Sequence, residues 1–330
     1  MYAKAFHQAD LSNLSFLVTG GGGFIGSNLV SYLLTHGAKK VRVLDNFANS
    51  NKANSKEFLD HPNYELIEGD ITIIEDCVKA VAGIDYVSHQ AALGSVPRSL
   101  KNPIATNQAN ISGFVNMTTA AREAGVKRMV YASSSSVYGD SEVLPKVEEE
   151  IGQPLSPYAV SKFTNELYAK VFYDNYGQEL IGLRYFNVFG PRQSPQGAYA
   201  AVIPLFIEAL KKNQSPFING DGSQTRDFTF VENAVQANVK AMFSQHPKAL
   251  GEVYNVAVGE RYSLVELFEL VKELTSADVA AVHREEREGD VKDSLANIEK
   301  AKERLDYQPL VKFKEGLERT VEWFESNKFE

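Results

Sequence analysis

Six short apolar runs recur along the first part of the chain, at 15–19, 41–44, 64–67, 86–88, 129–132 and 180–183. Between them lie longer stretches with helical spacing of apolar positions, notably 24–35, 103–124 and 157–176. Brief, nearly continuous apolar strands alternating with amphipathic helices predict a parallel sheet covered on both faces, because only a sheet buried on both sides tolerates such runs. Right-handed crossovers then give a doubly wound α/β fold. The rhythm changes after Gly190. Turn signals cluster at 190–191, 194–195 and 220–222, shorter elements follow, and a last amphipathic helix is predicted at 313–326. The expected organisation is a doubly wound parallel sheet mainly over residues 1–190 with a smaller C-terminal α/β lobe mainly over 191–330, the two interleaved as one functional unit.

Composition narrows the field of partners. Against 42 acidic residues stand 34 Lys and Arg, a formal charge of −8. No basic run is present, so neither nucleic acid nor an anionic membrane is an expected partner. Cys77 is the single cysteine, which excludes an internal disulfide and a cysteine-rich metal site and fits a reducing cytoplasm. No stretch of 18 apolar residues occurs, and residues 1–14, with Lys4, His7 and Asp10, do not read as a secretory signal.

Candidate chemistry begins directly after the first strand, where TGGGGFIG at 19–26 opens a helix. Glycines at Gly20, Gly23 and Gly26 permit a tight turn, close approach of a pyrophosphate, and close packing of helix on strand. The free N–H groups and the dipole of the helix N-terminus then face the phosphates. Asp45 ends the second strand, 19 residues after Gly26. An acidic side chain there accepts hydrogen bonds from an adenosine ribose and repels a 2′-phosphate, favouring NAD over NADP. Asp70 and Ile71, after the third strand, are within expected reach of the adenine.

A second constellation follows. Tyr158 and Lys162 stand one helical turn apart on the same face. A phenol beside an ammonium is expected to lose its proton more easily, and a phenolate so placed can take a carbinol proton while a hydride leaves for nicotinamide. The run Ser133–Ser136 ends the fifth strand, at the carboxyl edge of the sheet where ligands bind, and a hydroxyl there can hydrogen-bond the reacting oxygen.

Taken with LDN at 44–46, GDI at 69–71, HQAA at 89–92, SSSSVYG at 133–139, YAVSK at 158–162 and LRYFNVFGPR at 183–192, these motifs resemble the extended short-chain dehydrogenase/reductase family over nearly the whole chain. Within it the sequence looks most like the UDP-sugar 4-epimerases. ALGSVPRS at 92–99 and GAYAAVIP at 197–204 are similar to the group acting on UDP-N-acetylglucosamine.

The resemblance implies Tyr158 as acid/base, Lys162 as holder of the nicotinamide ribose, and Ser134 or Ser135 as the catalytic serine. It implies that Phe24, Ile25, Asn46, Ala91, Ala92 and Tyr185 join the glycines in holding NAD. For the UDP-sugar it implies Asn187, Ala201, Val202, Arg226, Arg287 and Asp290, with Ser95 and Arg98 lining the sugar pocket. Ser294, seven residues after Arg287, stands where a bulky residue restricts resembling enzymes to plain hexoses. The absence of a carboxylate next to the serine run until Asp140 disfavours dehydratase and decarboxylase chemistry. The expected reaction is C4 epimerisation, of UDP-N-acetylglucosamine ahead of UDP-glucose or UDP-glucuronate. The alternatives of another class are an NAD-dependent oxidoreductase releasing its product and a non-catalytic dinucleotide sensor. Helical stretches 103–124 and 157–176 are expected, again by resemblance, to pair as a four-helix dimer interface.

Overall fold

The computed structural model describes residues 1–196, 200–285 and 292–327. Its centre is a seven-stranded sheet built from β1 (Ser15–Thr19), β2 (Lys40–Asp45), β3 (Tyr64–Glu68), β4 (Tyr86–His89), β5 (Arg128–Ser134), β6 (Leu180–Tyr185) and β7 (Glu252–Val256). The spatial order is β7-β6-β5-β4-β1-β2-β3, and every neighbouring pair is parallel. Chain direction across the sheet therefore reverses between β1 and β4, the point at which loops leaving the carboxyl edge diverge and open a crevice.

The principal helices are α1 (Phe24–Thr35), α2 (Ile74–Val81), α3 (Gly113–Glu123), α4 (Pro157–Tyr176), α5 (Val202–Lys211), α6 (Val231–Phe243), α7 (Leu264–Thr275) and α8 (Phe313–Ser326). On one face of the sheet Leu29, Val30 and Leu33 of α1 and Ala234, Val235 and Met242 of α6 bury against Phe16, Val18, Val41 and Val130. On the other, Cys77 of α2, Phe114 and Met117 of α3 and Ala169 and Phe172 of α4 cover Leu17, Val87 and Met129. Burial on both sides explains why the strands read as continuous apolar runs. A third core, with Phe206, Ile207, Leu267, Val271, Phe313 and Leu317, belongs to the smaller lobe of α5, α7 and α8.

Two departures from the sequence reading have physical causes. The 103–124 segment is not one regular helix: Pro103–Asn107 and α3 are joined by a π-helical turn at Gln108–Ser112. Such an expanded turn re-aims side chains, and Gln108 and Ala109 face the crevice. The C-terminal part also returns to the main sheet, because α6 packs on α1 and β7 pairs with β6 in register from Glu252↔Ile181 to Val256↔Tyr185.

The helix that carries Tyr158 is fixed at both ends. Ser156 accepts from the Ala159 N–H (3.1 Å) and Pro157 occupies the first turn. Gly177, at φ +65°, closes the helix by donating its N–H to the Tyr173 carbonyl (2.9 Å).

Candidate functional site

The crevice at the switch point has a volume of about 610 Å³. Gly20, Gly23, Phe24, Ile25 and Gly26 line its floor. A Cβ on Gly26 would lie 2.2 Å from the Gly20 carbonyl oxygen, and one on Gly20, itself at φ +67°, would lie 2.8 Å from the Ala91 backbone. Only hydrogen fits at these two points. No side chain caps the start of α1, so its first-turn N–H groups remain available to a ligand.

Asp45, Asn46, Asp70 and Ile71 line the far end of the same crevice. Asp45 is buried, and its carboxylate braces the turn. Oδ2 accepts from the Gly22 N–H (2.9 Å), and Oδ1 accepts from the Phe47 N–H and the Ser50 hydroxyl (both 2.8 Å). A carboxylate has about four acceptor positions, so one remains for a hydroxyl. Asn46 donates to Asp70 (2.8 Å), tying the two strand ends together.

The middle of the crevice is formed by the 89–92 segment and β6. Thr19 Oγ1 accepts from the Ala91 N–H (3.2 Å), leaving its proton for His89 Nδ1 (2.9 Å). Burial pulls the His89 imidazole down to about 3, so it stays neutral there. Asn238 of α6, fully buried, donates to Tyr185 Oη (2.7 Å) and accepts from Ser88 and Gln90 (both 3.0 Å). Tyr185 donates to Gln90 Oε1 (3.2 Å). This closed polar ring fixes Tyr185 against the wall that Ala91 and Ala92 share.

At the other end Ser133, Ser134, Tyr158 and Lys162 stand together on the wall, and Ser135 does not reach it. Ser134 caps the turn that follows β5 by accepting from the Ser136 N–H (3.1 Å). Lys162 is buried and donates to the Ala132 carbonyl (2.8 Å), with Nζ 5.9 Å from the centre of the Tyr158 ring. The expected easing of the Tyr158 proton is not what this environment produces. Exclusion of water raises the phenol above its ordinary value, and only a hydrogen bond with Ser134 works against this. The same desolvation pulls the Lys162 ammonium down to about 8.

A second cavity, about 1510 Å³, opens beside the first, and Asn187 and Val188 line both. Asn187 holds the left-handed conformation (φ +35°), which its side chain supports by donating to the Asp227 carbonyl (3.0 Å). Ser95, Ala201, Val202 and Arg226 line this second cavity, together with Phe217, His283 and Arg284. Arg98 and Ser294 line neither. The Arg98 N–H donates to Ser95 Oγ (3.2 Å), and the buried Ser294 donates its N–H to the Thr225 carbonyl (3.1 Å), behind Arg226. Arg287 and Asp290 lie outside the described residues.

Several structurally central residues were not singled out in the sequence. Asp227 is fully buried and accepts from the N–H groups of Val258 (3.1 Å), Gly259 (3.1 Å) and Ala296 (3.3 Å), stapling three loops around the second cavity. Desolvation raises its carboxyl to about 7 despite these bonds. Its position directly after Arg226 was the one available signal. His89 and Gln90 sat inside the quoted HQAA, whereas Asn238 lay in an unremarkable helical stretch.

The sequence profile of the NAD dependent epimerase/dehydratase family matches residues 16–257. A putative UDP-glucose 4-epimerase of Methanocaldococcus jannaschii is 38% identical over 314 residues, covering 94% of this chain and 98% of that protein. The solved structure of a UDP-N-acetylglucosamine 4-epimerase from Methanobrevibacter ruminantium, in complex with UDP-N-acetylmuramic acid, superposes with a TM-score of 0.90 at 39% identity and covers 96% of this chain and 99% of that one. That of a UDP-glucuronic acid 4-epimerase from Bacillus cereus, with UDP-glucuronic acid and NAD, gives 0.88 at 29% identity, covering 95% and 98%.

Gly26→Ala is expected to weaken dinucleotide binding by about tenfold or more, since relieving a 2.2 Å contact costs on the order of 1–3 kcal/mol. Titration of the purified variant with NAD, followed by tyrosine and tryptophan fluorescence, measures it.

Proposed function

We propose that this chain, which belongs to the NAD dependent epimerase/dehydratase family, is a UDP-sugar 4-epimerase that interconverts UDP-N-acetylglucosamine and its C4 epimer. The observation that carries the reading is one continuous wall. Tyr158, Lys162 and Ser134 close one end of the dinucleotide crevice, and Asn187 joins that end to the cavity bearing Arg226.

The residues fit NAD. The glycine floor leaves a space that a Cβ would fill, the α1 N-terminus is uncapped, and Asp45 keeps an acceptor position. NAD held there would supply the hydride acceptor and donor for the sugar C4. Everything else falls to side chains of the chain. Tyr158 Oη removes the O4 proton and gives it back. Ser134, rather than Ser135, hydrogen-bonds O4, because Ser134 alone of the two is on the wall. Lys162, cationic below about pH 8, holds the ribose and favours the tyrosinate that burial alone disfavours. The 4-keto sugar then turns about its diphosphate linkage and presents its other face. Gly20, Gly23, Phe24, Ile25, Gly26, Asp45, Asn46, Asp70, Ile71, Ala91, Ala92 and Tyr185 contact the cofactor. Arg226 pairs with the diphosphate, a good match for a guanidinium. Ser95, Asn187, Ala201 and Val202 enclose the sugar nucleotide, with Arg98, Arg287 and Asp290 assigned to it by resemblance. The two lobes act as one unit, since residues of both line the second cavity.

Ser294 lines neither cavity, so its assignment as the small residue that admits an N-acetyl group rests on the family resemblance alone. Similarity to a putative UDP-glucose 4-epimerase keeps UDP-glucose as the second reading, and similarity to a UDP-glucuronic acid 4-epimerase keeps UDP-glucuronate as a third. No helix among the described residues is long and apolar enough to cross a membrane. On the outer face of α4, Val160, Leu167 and Val171 are about half exposed, and Ile104 beside them is 71% exposed. We assign this face to a second copy of the chain, forming a four-helix interface.

Incubated with UDP-N-acetylglucosamine and followed by proton NMR, the protein should form the 4-epimer without accumulating NADH. Tyr158→Phe should keep NAD binding and lose turnover, and turnover like the parent's would refute the assignment. Ser294→Tyr is expected to lower kcat/KM for the N-acetylated substrate by about tenfold more than for UDP-glucose, whereas equal losses would remove Ser294 as a size determinant. Sedimentation equilibrium should give a dimer, converted to monomer by Leu167→Arg. A parent chain that sediments as a monomer removes the interface.

A further inference from the structure

Behind the wall that carries Tyr158 lies a buried ion pair that the reaction as described does not use. Glu166 sits one turn beyond Lys162, so Tyr158, Lys162 and Glu166 form a row on one face of α4. Its carboxylate meets Arg184 of β6 in a two-point contact, Nε to Oε1 (2.9 Å) and Nη2 to Oε2 (2.7 Å). Both side chains are nearly inaccessible to water, at 6% and 3%. Oε1 also accepts from the hydroxyl of Ser133 (2.5 Å), the residue between Ala132, whose carbonyl holds Lys162, and Ser134. Arg184 Nη1 donates to the Glu148 carbonyl (2.9 Å), and the guanidinium lies over the Tyr138 ring at 4.9 Å.

A pair so deeply buried is weak evidence for stability, because apolar residues of equal volume serve that end as well. What this pair does, and apolar residues would not, is fix the end of β5 to α4 through a directed hydrogen bond and place a negative charge beside Lys162. We propose that Glu166, locked by Arg184, is a positioning residue for the reaction: it holds the serine end of β5 and the Lys162 ammonium in register with Tyr158. The inference rests on the roles given above to Tyr158, Lys162 and Ser134.

The groups facing Lys162 are Tyr158 and Glu166 on its own helix, the Ala132 carbonyl of β5, and His89 of β4, which is neutral; Arg184 of β6 stands beyond Glu166. Glu166 is therefore the charge that works against desolvation of the ammonium. The sign follows directly. Without the carboxylate the ammonium loses its proton at lower pH, so a reaction needing the cation fails earlier as pH rises.

The test is the pH dependence of kcat for Glu166→Gln, with Glu166→Gln/Arg184→Gln alongside so that no lone guanidinium is left buried. Each is compared with Ser133→Ala and Tyr158→Phe by the NMR assay of epimer formation, with NAD content read from absorbance. The alkaline limb is expected to move down by about one pH unit in Glu166→Gln, where the guanidinium remains, and down by less in the double variant, with NAD retained in both. Ser133→Ala, which keeps the ion pair and loses only one hydroxyl, is expected to lower kcat about fivefold with KM unchanged, as loss of a hydrogen bond of about 1 kcal/mol would. An unmoved limb with lowered melting temperature would make the pair structural only and overturn the proposal, as would a parental kcat in Ser133→Ala should the Glu166 variants fail to fold. An active Tyr158→Phe would instead overturn the reading of the site on which the proposal stands.

Discussion

At the switch point between β1 and β4, the backbone of Gly20 lies against that of Ala91 so closely that a Cβ would stand 2.8 Å away. This approach aims the start of α1 into the crevice, brings Ala91 and Ala92 to its wall, and sets the span from Asp45 to Lys162. It is possible because the sheet order reverses there, so the two loops leave side by side. Thr19 and His89 make the approach durable: two polar side chains on adjacent strands satisfy one another and the Ala91 N–H in a place without water.

The chemical end of the crevice depends on a different compromise. Burial makes Tyr158 a weaker acid and Lys162 a weaker base, so neither side chain is prepared by its partner alone. The environment is instead built around charge. Glu166 and Arg184 neutralise one another behind the wall, and Lys162, on the same helix face, lines the crevice. A site dry enough to make electrostatic effects strong must fix its dipoles beforehand, and the β5–α4 connection through Ser133 does this.

Much of this was legible in the sequence because it is local. The TGGGGFIG turn, Asp45 at a strand end and the Tyr158–Lys162 spacing each sit within one or two elements, and the strand–helix alternation orders those elements. Ser134 was separable from Ser135 only in three dimensions, where the 3₁₀ turn at Ser135–Tyr138 carries the second serine off the wall. The partners that fix the site were not legible. Asn238 is 53 residues from Tyr185, and Asp227 is 69 from Ala296, and such pairings leave no periodic mark. The π-turn at Gln108–Ser112 was hidden for the opposite reason: its residues follow the apolar spacing of an ordinary helix.

The central claim is that a hydrogen leaves C4 as hydride and returns to the same carbon on the opposite face. It is tested most directly with UDP-N-acetylglucosamine deuterated at C4, incubated with the enzyme in ordinary water. The account predicts a 4-epimer that keeps its deuterium at C4, formed with no net NADH. Loss of the label to solvent, or accumulation of NADH with an oxidised sugar, would contradict it.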